Sequence, residues 1–313
     1  MTDGDAGVLE LEVTALRQES DCVLSVELAD PQRRLLPAWD PGAHIDLGLP
    51  EHLRQYSLMG DPGERDHYRI AVLREPESAG GSSYVHAILR PGDLVEVGGP
   101  RNNFPLVAAQ DYLMIAGGIG ITPLLPMIRQ LQAEGKSWRL LYGGRSRRSM
   151  AFLGDLLGDD HVEVHPFDED GHLDLDAALG NPAADTAVYC CGPEGLIAAV
   201  EARCASWPTG ALHVERFAAP VRDDEDDLRA FELVLATSGQ RLTVPADSTA
   251  LDVLDAAGID LPNACRDGVC GSCETRVLAG IPLHRDALTG PDCTDVIYPC
   301  VSRAQSAELV LDL

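Results

Sequence analysis

The sequence predicts a multidomain chain: an antiparallel β-barrel first, an α/β doubly wound domain second, and a small β-grasp domain last. Three observations predict it. Residues 8 to 105 alternate in period two, with Leu9, Leu11 and Val13 set against Glu10, Glu12 and Thr14, the signature of half-buried strands. From residue 109 compact apolar strands alternate with helical stretches, which implies a parallel sheet with helices on its faces. Beyond residue 230, two strands and a helix lead into Cys265, Cys270, Cys273 and, later, Cys300.

In the first region Leu24, Val26 and Leu28 repeat the alternation, and turn signals recur at Asp40-Pro41-Gly42, Asp61-Pro62-Gly63 and Pro91-Gly92-Asp93. Short strands joined by regular turns curl into a barrel. In the second, the clearest strands are Leu113-Met114-Ile115-Ala116, Leu140-Leu141-Tyr142 and Ala187-Val188-Tyr189-Cys190, with helices expected over 124–131, 151–157 and 194–202. Five consecutive acids, Asp223-Asp224-Glu225-Asp226-Asp227, cannot be buried together and mark a solvated linker. Strands over 231–236 and 240–244 follow, then a helix over 250–257 that Ser248 or Thr249 would cap. Leu309-Val310-Leu311 would close the last sheet. The expected boundaries are 1–108, 109–217, an acidic linker at 218–229, and 230–313.

With 50 acidic against 24 basic residues the net charge is −26, which argues against nucleic acid, since phosphate binding needs a basic footprint. An acidic surface suits a partner with a basic docking patch. The start, Met1-Thr2-Asp3-Gly4-Asp5, has neither a positive n-region nor an apolar h-region, so a cytoplasmic protein is expected. The most apolar stretch, 112–128, is interrupted by Gly117, Gly118, Gly120, Pro123 and Pro126 and is too short to span a bilayer. Nine cysteines suit a reducing compartment, with Cys22, Cys204 and Cys293 read as small buried or partly buried side chains.

The four C-terminal cysteines follow the plant-type pattern C-x4-C-x2-C…C, which holds a [2Fe–2S] cluster by thiolate ligation. Gly268 and Gly271 let the loop turn sharply between the thiolates. A structural zinc site is the alternative, although zinc knuckles favour paired C-x2-C units and the first spacing here is four. A disulfide framework fits a chain of this length less well.

Two further motifs suit phosphate-bearing ligands. Arg54-Gln55-Tyr56-Ser57-Leu58 is followed by Gly80-Gly81-Ser82-Ser83 and an expected helix over 84–89. An arginine, a short Gly/Ser loop and a helix start together make an anion site, and an aromatic with a hydroxyl beside it suits a flat heterocycle. Gly117-Gly118-Ile119-Gly120-Ile121-Thr122-Pro123 follows an apolar strand and opens into a helix, as a dinucleotide pyrophosphate requires. Pro123 stands where the usual fingerprint has its last glycine, a position where a helix accepts proline. Tight packing of strand against helix would also explain these glycines. Cys191-Gly192-Pro193-Glu194-Gly195 ends another strand at the same carboxyl edge of the sheet.

Taken in order, Arg54-Gln55-Tyr56-Ser57, Gly80-Gly81-Ser82, Pro100-Arg101-Asn102-Asn103-Phe104, the 117–123 loop, Cys191-Gly192-Pro193, Glu215-Arg216-Phe217 and the cysteine loop closely resemble the phthalate dioxygenase reductase family, vanillate demethylase reductases included. The resemblance covers nearly the whole chain and implies flavin, nicotinamide and plant-type ferredoxin domains in that order. It implies FMN, NADH and a [2Fe–2S] cluster as cofactors. Arg54, Gly80, Gly81, Ser82 and Ser83 would then surround the flavin phosphate. Gln55, Tyr56, Ser57, Leu58 and the run Ala71-Val72-Leu73 would lie along the ring, with Ser57 near N5. Cys191 would sit near the nicotinamide carbon that gives up hydride, Glu215 would support that pocket, and Phe217 would cover the ring where nicotinamide enters. Gly117, Gly118, Gly120, Ile121, Thr122, Pro123, Gly192 and Pro193 would form the nucleotide loops. Arg145 and Ser146 would flank the adenosine end, where Asp168 could serve the ribose hydroxyls. An arginine among Arg145, Arg147 and Arg148 could instead accept the 2′-phosphate of NADPH.

In that family nicotinamide gives two electrons as hydride, the flavin returns them singly, and the cluster accepts one at a time. The implied partner is a terminal oxygenase, a Rieske-type aromatic oxygenase or demethylase first, a haem-thiolate monooxygenase second. A redox-sensing subunit without catalysis is the reading from another class. Arg266, His284 and Arg285 form a candidate docking or cluster-tuning surface.

Overall fold

A computed structural model describes residues 8–50, 52–75, 80–218, 229–290 and 293–313. The chain divides into two compact units, Met1–Glu215 and Arg216–Leu313. The expected acidic linker falls almost wholly on 219–228, outside the described residues.

The first unit contains two sheets. Strands β1 (Leu9–Ser20), β2 (Val23–Ala29), β3 (Ala43–Leu49), β4 (His52–Ser57), β5 (Tyr68–Leu73) and β6 (Leu94–Asn102) form an antiparallel sheet in the order β4-β3-β6-β1-β2-β5. Its inward residues, among them Leu11, Val13, Val26, Leu28, Ile45 and Leu47, are fully buried round one core, so the alternation read in the sequence is the barrel interior. A seven-residue helix α1 (Gly81–Ala87) lies between β5 and β6; it starts three residues earlier than expected, because Gly80 at φ 120° turns the chain directly into it.

The second sheet is wholly parallel. Strands β7 (Asp111–Gly117), β8 (Ser137–Gly144), β9 (Val162–Pro166), β10 (Thr186–Cys191) and β11 (Leu212–Glu215) lie in the order β11-β10-β7-β8-β9. The chain winds outward from β7 to β9, then crosses back to β10, so the direction of winding reverses between β7 and β10. Ligands of open α/β sheets bind at the carboxyl ends of strands at such a reversal. Helices α2 (Leu124–Ala133), α3 (Leu153–Leu156), α4 (Phe167–Asp170), α5 (Leu175–Leu179) and α6 (Glu194–Cys204) complete the unit. The helix expected over 151–157 shrinks to one turn, since Phe152 takes a left-handed conformation at its start, and β9 and β11 were not marked by the apolar pattern because their residues are mostly half-buried.

The two sheets share a core. Val23, Met59, Ala71 and Phe104 from the first region join Met114, Leu124, Met127 and Ile128 in one buried cluster. Arg129 on α2 donates to the Met59 carbonyl at 2.6 Å and the Gly60 carbonyl at 3.1 Å. The Pro100–Phe104 motif is part of this joint: Asn102 Nδ2 donates to the Pro41 carbonyl at 3.0 Å, its Oδ1 accepts from Phe104 N at 3.0 Å, and Phe104 packs edge-on to Tyr189.

In the second unit, β12 (Phe231–Leu235), β13 (Arg241–Val244), β14 (Thr275–Ala279), β15 (Pro282–Leu283), β16 (Val296–Ile297), β17 (Arg303–Ala304) and β18 (Glu308–Leu311) accompany helix α7 (Ala250–Ala256). The main sheet runs β13-β12-β18-β14-β16, and β15 pairs with β17. The last strand therefore completes the sheet from its middle, parallel to β12, rather than at an edge; Leu309 and Leu311 are fully buried there. Thr249, not Ser248, caps α7 through a reciprocal box with Asp252. No helix among the described residues is long and apolar enough to cross a membrane.

Candidate functional site

At the winding reversal the ends of β7, β10 and β11 lie side by side: Cys191 pairs in register with Ala116 on one side and Glu215 on the other. The loops above them touch at bare backbone. A Cβ on Gly120 would overlap the Cys191 carbonyl, one on Gly117 would come within 2.7 Å of Pro193 Cδ, and one on Gly192 within 2.9 Å of Gly117 Cα. The packing explanation therefore holds for three of these glycines. Gly117, Gly120 and Gly192 are needed for packing, whereas Gly118, at φ 56° with open space round it, is the one a ligand could approach. A 3-10 turn (Gly118–Ile121) comes before α2, and Thr122 closes it by donating from Oγ1 to the Ile119 carbonyl at 2.9 Å. Ile121 is fully buried and Pro123 precedes the first residue of α2, so the side chains of Ile121 and Thr122 serve the turn.

Ser57 ends β4, 94% buried, and its hydroxyl lies 3.5 Å from Glu215 Oε2. This contact joins the barrel to the winding reversal across 158 positions of sequence. Glu215 is half-buried, and desolvation pushes its pKa up to about 8 despite the Ser57 hydrogen bond. Cys191 is fully buried; desolvation first, then Glu215 and Cys190, raises its thiol well above the usual value, so it is a neutral thiol. Neighbouring Cys190 packs into the opposite apolar core with Leu113, Ile115 and Val188.

The barrel places Arg54 against the start of α1, where a Cβ on Gly81 would meet Arg54 Cγ at 3.0 Å. Ser82 Oγ accepts from Glu75 N at 3.2 Å, which leaves its own proton to donate. Ser83 is exposed. Tyr56 is half-buried, with its pKa raised to about 12 by desolvation. Ala71, Val72 and Leu73 lie on β5, an end strand of its sheet, and the Val72 carbonyl there is 2.9 Å from His86 Nε2. Two expected contacts are not side-chain contacts. Gln55 Nε2 donates to Asp46 across the strand pair at 3.0 Å, beside an Arg101–Asp46 pair at 2.6 Å, and the Leu58 side chain is fully buried in the barrel core.

At the carboxyl ends of β8 and β9, Asp168 N donates to the Arg145 carbonyl at 3.2 Å, bringing those two residues together, with Ser146 alongside. Arg147 is paired with Glu169 at 2.9 Å and Arg148 with Asp21 at 3.0 Å; Arg145 and Asp168 make no ion pair among the described residues. Phe217 follows Glu215 by two positions, at the start of the second unit, and is 45% exposed. A hollow of about 410 Å³ lined by Gln110, Lys136, Thr186 and Ala211 lies at the opposite, amino edge of the sheet and has no part in this arrangement.

In the second unit the four cysteines form two facing pairs. Cys265 faces Cys270 and Cys300 faces Cys273, and the interaction within each pair lowers the thiol pKa of Cys270 and of Cys273 while raising that of its partner. Among the described residues no group of three or more His, Cys, Asp or Glu side chains gathers as one metal ion would require; two adjacent pairs of sulfurs fit a centre with two irons. Backbone amides serve the sulfurs: Asp267 N donates to Cys265 Sγ and Ser272 N to Cys270 Sγ, each at 3.3 Å. Arg266, left-handed at φ 56°, reaches Asp252 and Asp255 on α7. His284 is buried. Arg266, His284 and Arg285 therefore do not form an exposed docking surface, since Arg266 is neutralised by two acids and His284 faces inward; the cluster-tuning alternative does not depend on exposure. Sequence reasoning missed Asp286, 3% exposed, because nothing in a polar run distinguishes a buried acid from a solvated one.

Residues 234–305 match the 2Fe-2S iron-sulfur cluster binding domain family. Over 97% of both chains the protein is 43% identical to phenoxybenzoate dioxygenase subunit beta of Ectopseudomonas oleovorans. The solved structure of phthalate dioxygenase reductase, described as modular for electron transfer from pyridine nucleotides to [2Fe-2S], matches with a TM-score of 0.73, 39% identity and 98% of each chain. The chain belongs to the phthalate dioxygenase reductase family. It also aligns, with a TM-score of 0.91 and 40% identity, to an intact type IV self-sufficient cytochrome P450 monooxygenase, covering 98% of this chain and 41% of that one. Members of this family are flavin and iron-sulfur oxidoreductases, and the four paired cysteines and the loops at the winding reversal fit that chemistry.

Proposed function

We propose that this protein is an NADH-dependent reductase that carries electrons through FMN and a [2Fe–2S] cluster to a terminal oxygenase, most directly a Rieske-type aromatic-ring oxygenase or demethylase. The observation that carries the reading is the Ser57–Glu215 contact, which sets the barrel's Arg-x-Tyr-Ser strand against the nucleotide end of the parallel sheet. The domains would run 1–108, 109–217 and 230–313, joined by the acidic 218–229 stretch, in a cytoplasmic protein.

When bound, FMN supplies the exchange between a two-electron hydride and single electrons. The chain's own residues would hold and orient. Arg54 would pair with the phosphate, with Ser82 and the amides of Gly80 to Ser83 donating to it. Tyr56 would line the ring, neutral at all working pH values. Ser57 would donate to the flavin near N5, and Glu215, protonated below about pH 8, would hold the Ser57 hydroxyl and keep charge out of the pocket. Cys191 would present a small neutral thiol to the nicotinamide, while Gly118 and Pro193 flank the pyrophosphate. Asp168 would accept from the adenosine ribose. With Arg147 and Arg148 already paired to acids, Arg145 is the one of the three that would meet a 2′-phosphate, and the preference for NADH comes from the resemblance to the family.

Anaerobic absorption titration with NADH and then NADPH, after identifying the flavin released on denaturation, tests the whole reading. Bleaching of flavin and cluster bands at low NADH with FMN released is expected; no bleaching by either nucleotide would leave only a redox-sensing subunit. The match to a self-sufficient P450 favours a second reading, in which a haem-thiolate monooxygenase is the electron acceptor. Reduction of one class of candidate partner and not the other separates them.

A further inference from the structure

The most heavily bonded buried acid in the second unit is Asp286, and no step above uses it. Its Oδ1 accepts from Leu288 N at 3.0 Å, Thr289 N at 2.8 Å and Thr289 Oγ1 at 2.8 Å. Its Oδ2 accepts from Ser302 Oγ at 2.8 Å and lies 3.3 Å from His284 Nδ1. The other nitrogen of that ring is 2.8 Å from the Cys293 carbonyl, so His284 is pinned from both sides. A carboxylate with four donors and an imidazole against it is stabilised in its charged form although it is out of water.

What this acid connects is specific. Gly268, inside the loop that carries Cys265, Cys270 and Cys273, packs directly on it: a Cβ there would lie 3.1 Å from Asp286 Cα and 2.5 Å from Val301 Cγ2. The Gly268 carbonyl accepts from Ala287 N at 2.8 Å. Ser302 stands two residues beyond Cys300, and its Oγ also accepts from Arg285 N at 3.0 Å. Asp286 thus ties together the two separate segments that supply the four sulfurs.

We propose that Asp286 is a positioning residue of the iron-sulfur site, clamping the three-cysteine loop to the Cys300 segment and lowering the reduction potential of the cluster by its fixed charge. The inference rests on the cluster assignment above. Cluster potentials follow net charge, hydrogen bonding and exposure, and a negative charge held in a low-dielectric interior opposes the arrival of an electron more strongly than one in water. A low potential here would hold the cluster ready to pass its electron on.

The test is the midpoint potential of the cluster in the full-length protein, by anaerobic titration followed by electron paramagnetic resonance, with iron content and visible circular dichroism measured alongside. Asp286→Asn, nearly isosteric and neutral, should raise the potential enough to favour the reduced form about tenfold at fixed poise, 59 mV for one electron. Ser302→Ala keeps the charge and withdraws one donor, so it should shift the potential the opposite way by a smaller amount. An unchanged potential in Asp286→Asn with full iron and native dichroism would overturn the proposal. Should that variant hold no iron, Ser302→Ala decides: a downward shift supports the clamp and its charge, and no shift overturns it. A native protein without any cluster resonance would overturn the cluster assignment itself, a failure distinct from the others.

Discussion

The two sites in this chain are built in opposite ways. The cluster loop is local: three of its cysteines lie within nine residues, and hydrogen bonds from its own backbone amides steer two of the sulfurs. The proposed hydride site is distributed: Ser57, Cys191 and Glu215 arrive from three strands in two sheets, and what brings them together is strand register and the clearance left by glycines. A local site depends on its ligands; a distributed one depends on everything that fixes its backbone.

Replacing Cys273 with Ser should therefore have the largest and cleanest effect, abolishing cluster absorption while NADH still reduces the flavin. Loss of both activities would break the separation of the two sites. Gly120→Ala should come next, because the added methyl overlaps the Cys191 carbonyl and the loops must part; stopped-flow hydride transfer should fall steeply with the cluster intact. Gly118→Ala meets no atom within 4 Å and bears only the strain of its left-handed φ, about 1 kcal/mol, so its thermal stability should fall modestly.

Glu215→Gln sharpens the comparison through pH. Because burial raises this carboxyl from 4.5 to about 8, the folded chain holds a proton that the unfolded chain releases. Its stabilising contribution is complete below 4.5, declines as pH rises, and is gone above about 8. Thermal melts should show the native protein losing stability relative to the Gln variant across that window, and parallel profiles would remove Glu215 as the buried titrating group. The smallest effect belongs to the cap of α7: Thr249→Ala should cost about 1 kcal/mol in denaturant unfolding of the second unit and leave hydride transfer untouched.

The same contrast decides what could be read from sequence. The cysteine spacing announces its chemistry because a local loop writes its geometry into consecutive residues. The apolar alternation likewise gave the barrel core, and strand-loop-helix order located the carboxyl edge of the parallel sheet. The Ser57–Glu215 contact was accessible only through the order of motifs along the chain, since no periodicity links positions 158 apart. The tie from Gln55 to Asp46 was not legible, because it joins neighbouring strands at positions whose pairing only the fold sets. Asp286 was invisible, because the donors that make its burial tolerable come from Thr289 and from Ser302 across the fold.

The shared core of the first unit has one more consequence. Val23, Met59, Ala71 and Phe104 are sealed into the same apolar cluster as α2, so the barrel and the parallel sheet cannot melt one without the other, while the second unit has a core of its own. Calorimetry should register two cooperative blocks and not three. Heat damage would then extinguish flavin retention and nicotinamide oxidation together, as a single event.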